Sequence, residues 1–75
     1  MTELWRGRYC YSDDNGNEHT FDTYKSKRSE ADVVYTIYLD NEFFATAESR
    51  REEWDAIQTH ASVMGWKNGK ERQYV

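Results

Sequence analysis

From Leu4 to Tyr11 the chain sets Trp5, Gly7, Tyr9 and Tyr11 against Leu4, Arg6, Arg8 and Cys10. A two-residue period rich in aromatics predicts a strand, because alternate side chains of a strand leave on opposite faces. Asp13-Asp14-Asn15-Gly16-Asn17 follows, and an Asn-Gly pair favours the positive φ angles of a tight type I′ hairpin turn. His19–Lys25 then returns as a second strand. A tight turn on Asn15-Gly16 would pair Tyr11 with Thr20 and Cys10 with Phe21. A longer loop would bring Phe21 opposite Tyr11, and the pattern leaves both registers open.

Ser26–Asp32 is polar and reads as a loop. Val33–Leu39 is β-branched and alternating, which predicts a third strand. Asp40-Asn41-Glu42 turns it into a fourth over Phe43–Ala47. Pairing residues whose numbers sum to 82 gathers Val33, Tyr35, Ile37, Leu39, Phe43, Ala45 and Ala47 on one apolar face. The opposite face then carries Val34, Thr36, Tyr38, Phe44 and Thr46. Hydrophobic matching favours this register, although glutamate is unusual at the last position of a turn.

After Ala47 the period changes. Ser49 followed by Glu52 fits a capping box at a helix N-terminus. Trp54, Ile57, Ala61 and Met64 recur at three- and four-residue steps and form one apolar stripe. Gly65 suits a left-handed helix end, after which Trp66 would fold back on the last turn. Lys67-Asn68-Gly69-Lys70 reads as a turn, and Glu71–Val75 as a short extra strand or a tail. The expectation is one α+β domain over residues 1–75. An antiparallel sheet of about four strands in two hairpins spans about 4–47, and an amphipathic helix over about 50–64 packs on one face. A C-terminal tail, 66–75, holds a possible short strand.

Composition sharpens this picture. At 75 residues the chain is near the lower limit for a self-sufficient core, and 16% of it is aromatic. Large rings give a small sheet a compact core; in surplus they also make binding surfaces. A net charge of −4 with pI near 5.0 disfavours sequence-independent nucleic-acid binding, which needs a basic field. No run is apolar enough to span a membrane, and no signal peptide precedes the charged start. A lone Cys10 cannot form an internal disulfide, which suits a reducing, cytoplasmic setting.

Reactive chemistry is sparsely represented. Cys10 and His19 could meet across the first hairpin, but nothing beside them would activate a thiol or build an oxyanion site. One Cys and two separated His do not make a zinc site. Residues 13–18 lack the ligand alternation of a calcium loop, and the four glycines are too scattered for a phosphate loop. The expectation is a non-enzymatic chain with no cofactor, no metal and no catalytic residue.

Two binding roles remain. Arg6, Arg8, Lys25, Lys27 and Arg28 lie on or beside the first hairpin among aromatic residues, as in a sheet that reads nucleic acid. Asp13, Asp14, Glu18 and Asp22 on the same hairpin would repel phosphate. One helix covers only one sheet face, so Tyr38 and Phe44 are expected on the other, joined by some of Trp5, Tyr9, Tyr11 and Tyr24. Such a face fits a protein partner, or a second copy in a homodimer. The preferred reading is therefore a small accessory or regulatory protein that binds another protein, of a size common among phage and mobile-element genes. Nucleic-acid binding is the alternative.

Overall fold

The computed structural model describes residues 3–29 and 32–74. Its elements are β1 (Glu3–Ser12), β2 (Glu18–Ser29), β3 (Asp32–Leu39), β4 (Glu42–Ala47), α1 (Arg50–Met64) and β5 (Lys67–Tyr74). The first four strands and the helix are those predicted by the alternation of side chains. The sheet is antiparallel, in the order β4-β3-β2-β1-β5. Most of the polar run expected as a loop is strand: β2 continues to Ser29, with Ser26 opposite Val34 and Lys27 opposite Val33, and β3 begins at Asp32, while Glu30 and Ala31 lie outside the described residues.

The first hairpin adopts neither expected register. Asp13 Oδ1 accepts hydrogen bonds from the backbone N–H groups of Asn15 and Asn17, both at 2.9 Å. Only Gly16 in this turn has a positive φ, 82°. The loop is thus organised by an aspartate-capped turn ending in a left-handed glycine rather than by a type I′ Asn-Gly pair. The pairs that follow are Tyr11↔His19, Cys10↔Thr20 and Tyr9↔Phe21. This register puts Tyr9, Tyr11 and Phe21 on one face.

In the second hairpin two demands compete. Asp40 and Asn41 both have positive φ, 50° and 70°, the geometry of a two-residue type I′ turn. That turn pairs Leu39 with Glu42 and Tyr38 with Phe43. Farther along, Ile37 faces Ala45 and Tyr35 faces Ala47, the register that hydrophobic matching predicts. A bulge between the two registers reconciles them by giving β4 one extra residue. The exchange moves Phe43 to the open face and Phe44 to the helix side, the reverse of the expectation.

That side holds the core. Tyr11, Phe21, Ile37, Ile57 and Ala61 are buried together, with Tyr9, Leu39, Phe44, Ala56 and Trp66 packed around them. Phe21 meets Tyr11 and Phe44 edge-on at 5.6 Å in each case. The buried Tyr11 hydroxyl accepts from Gln58 Nε2 at 3.1 Å, which removes the penalty of an unpaired hydroxyl.

Both helix caps form as predicted. Ser49 Oγ accepts from the Glu52 N–H at 3.1 Å, while the Glu52 carboxylate reaches back to Glu48 N–H at 3.0 Å. Gly65 is left-handed with φ 75°, and the Trp66 N–H bonds Ala61 O at 2.9 Å. The stripe itself is corrected at two positions. Met64 is 54% exposed, whereas Glu53 is buried beside Ile57 and Ala61. Trp66 fills the place expected for Met64, its ring 6.1 Å from Phe21 and 5.2 Å from His60. Beyond it the tail is a strand. The backbone of β5 pairs with β1 from Ser12↔Lys67 to Gly7↔Tyr74, with a register shift between Tyr9↔Arg72 and Tyr11↔Asn68 where a turn was expected. Val75, the end of the expected tail, lies outside the described residues.

Candidate functional site

The helix occupies one face of the sheet, and no described element covers the other. Strand pairing assigns the residues of this open face. Asp22, Tyr24 and Ser26 of β2 stand opposite Tyr38, Thr36 and Val34 of β3, and opposite Arg8, Trp5 and Glu3 of β1. Phe43 adds to the row across from Tyr38.

At its centre is a carboxylate. Asp22 is 5% exposed, a costly position for a charge without partners. Arg8 Nε donates to its Oδ1 at 2.8 Å, Arg8 Nη2 to Oδ2 at 3.4 Å, and Trp5 Nε1 to Oδ1 at 3.3 Å. The bond to Asp22 pushes the Arg8 guanidinium pKa still higher. Trp5 and Arg8 therefore serve as supports for Asp22, which fixes their side chains on this face.

Beside Asp22 runs a chain of rings. Tyr24 and Tyr38 meet at 5.5 Å with planes 86° apart, and Tyr38 meets Phe43 at 6.3 Å and 84°. Phe43, at the end of the row, is 64% exposed. Glu3, Asp22, Tyr24, Tyr38 and Asn41 line a shallow cavity of about 310 Å³. Ser26, Val34 and Thr36 on the same face are buried although no helix covers them. Around such small side chains the larger neighbours make a relief rather than a flat sheet.

Of the six aromatic residues expected on the open face, the structure brings together Trp5, Tyr24 and Tyr38. Tyr9, Tyr11 and Phe44 lie on the helix side. Tyr11 is buried, Tyr9 packs 5.5 Å from Trp54, and Phe44 packs 4.8 Å from His60. Sequence reasoning missed Phe43 and Asp22. Turn chemistry at Asp40-Asn41 was the available signal for Phe43; nothing in the local pattern marks Asp22 as buried.

The described basic residues divide between the two faces of the sheet. Arg8 is bonded to Asp22 on the open face. Arg6 sits at a bulge in β1 and turns under the helix, 3.8 Å from Glu53 and 5.0 Å from the Tyr35 ring centroid. Lys25 and Lys27 are exposed and share strand parity with Phe21, on the helix side. The Arg28 side chain lies outside what the structure describes. Cys10 and His19 occupy opposite faces, since Cys10 pairs with Thr20 and His19 with Tyr11. No thiol–imidazole pair forms.

His19 belongs instead to a cluster at one end of the sheet. Its Nδ1 lies 2.9 Å from Asp40 and its Nε2 3.1 Å from Asp13, and its ring stacks on Trp66 at 4.0 Å. Among the described residues no group of three His, Cys, Asp or Glu side chains could hold a metal ion, and no helix is long and apolar enough to cross a membrane. No family model, curated protein or solved structure matches the chain.

Proposed function

We propose that the chain is a cytoplasmic accessory or regulatory protein that binds another protein through the sheet face opposite its helix. The observation behind this reading is the row Tyr24–Tyr38–Phe43, held ring against ring on a face that no described element covers. Aromatic residues fixed in place before binding lose little conformational freedom when a partner arrives, so they serve as anchors. The bond from the exposed Arg8 to the buried Asp22 supports the same use, because it stiffens the surface beside the rings. Nucleic-acid binding is less well supported. Of the five basic residues expected to form that site, Arg6 and Arg8 are engaged by carboxylates, and Lys25 and Lys27 share the helix side.

Photo-crosslinking from defined positions tests the proposal. A photoreactive residue replacing Phe43 is expected to give a discrete adduct in cells, lost when Tyr38→Ala is added. The same residue at Thr59, exposed on the helix, is expected to give none. An adduct of twice the chain's mass identifies the partner as a second copy. Adducts from Thr59 alone would sink the proposal.

A further inference from the structure

We propose that the cavity at the foot of the aromatic row receives an arginine side chain of the protein partner. The inference rests on the reading of the sheet face as a protein-binding surface and names the chemistry that this surface recognises. Tyr24 and Tyr38 stand at 86° with centroids 5.5 Å apart, so their rings form two walls of a corner. Two aromatic walls at right angles attract a cation through their π faces, Arg more often than Lys. The rest of the lining is Glu3, Asp22 and Asn41, which adds two carboxylates and an amide oxygen. Among the described residues, Lys and Arg are absent from this lining.

Arg8 must be weighed against this, because it already neutralises part of Asp22. Its short bond goes to Asp22 Oδ1, which also accepts from Trp5, while Oδ2 receives only the 3.4 Å contact. Among the described groups, Oδ2 therefore keeps acceptor capacity, and Asp22 lines the cavity. Glu3 is exposed and adds its charge to the lining. A guanidinium matches this set better than an ammonium. It is planar, stacks on rings, and spreads five donors over acceptors in different directions. The chain's net charge of −4 would attract a basic partner to the chain.

The test is an amide-shift titration of the intact protein with acetyl-Gly-Arg-Gly-amide, beside the same peptide carrying neutral citrulline. One side chain in an open corner is expected to bind with a Kd on the order of millimolar. Saturable shifts should centre on Glu3, Asp22, Tyr24, Tyr38 and Asn41, and citrulline should produce none. Glu3→Gln is expected to weaken binding about threefold, as for an exposed charge pair. Tyr38→Leu should abolish it and Tyr38→Phe should keep it, with the dispersion of the amide spectrum reporting that each variant is folded. Equal shifts from arginine and citrulline, shifts centred elsewhere, or binding that survives Tyr38→Leu would overturn the assignment. A Phe43 crosslink with no arginine response removes this inference but leaves the binding face. Arginine shifts without a crosslink keep the cavity and remove that face as a protein dock.

Discussion

Glu53 sits in the apolar stripe of the helix, 3% exposed. Its Oε1 lies 3.8 Å from Arg6 Nη1, while its Oε2 and Arg6 Nη1 make no hydrogen bond. Burial pushes its pKa up, and the nearby Arg6 and then Arg50 only partly offset this. A carboxyl whose folded pKa lies above the unfolded one loses stability as pH rises through that interval. Glu53→Gln is therefore expected to raise Tm at pH 7 and leave it unchanged near pH 4, as read by thermal melts; a lower Tm at pH 7 would show that the ion pair outweighs burial. His19 is the opposite chemistry. Asp40, then Asp13, raise its pKa, while Asn17 and His19 lower that of Asp13. The imidazolium stabilises the fold fully below its unfolded value of ~6.5, and that contribution fades as pH climbs through the folded value. Asp13 acts at the acid end, where its contribution disappears as pH falls through its own lowered value. Melts from pH 5 to 9 should show a decline that His19→Asn flattens; parallel declines would clear the ring of any part in it. Neither group was legible from local pattern. Glu53 follows the capping Glu52 in the charged run that opens the helix, and the partners of His19 come from two turns and the helix end.

The elements were far more legible, because each is specified by neighbours in the sequence. Ser49, Glu52 and Gly65 mark the helix ends, and their bonds form. The hairpin registers were not, because side chains and turns vote separately. In the second hairpin apolar matching and the Asp40-Asn41 turn each obtained their own register, and the bulge absorbed the one-residue difference. Asn41 tolerates its φ of 70° better than most residues, but glycine does so without a Cβ conflict. Asn41→Gly is expected to stabilise the protein by about 0.5 kcal/mol, measured by urea unfolding. Asp40 is a different case: its carboxylate also accepts from the Thr20 N–H at 2.9 Å. A loss of stability on Asn41→Gly would mean that the amide side chain matters more than the backbone it relieves.

Across the whole molecule, the crossover helix joins two outer strands, β4 and β5, and packs on one face of the sheet. Sequence alone showed that one face must stay uncovered but not which aromatics it would carry, since that depends on both registers at once. The same division separates the described basic residues, with Arg8 on the open face and Arg6, Lys25 and Lys27 on the helix side, whereas phosphate recognition is favoured by one continuous positive field. Amide-shift titration with single- and double-stranded oligonucleotides at low salt is expected to give no saturable change. Salt-sensitive shifts gathered on residues 5–28 would instead restore the first hairpin as a nucleic-acid surface.

β4 borders the sheet with its outer side unpaired by any described strand. Such a border is a template on which a stray extended chain can add, and Phe43-Phe44 is greasy enough to invite it. The extra residue at the bulge bends the strand and breaks the even spacing of its amides and carbonyls. Growth of stacked copies toward fibrils is thus obstructed there by the same irregularity that aims Phe43 outward. A variant straightened by deleting one of the two phenylalanines would trade a binding anchor for an aggregation hazard.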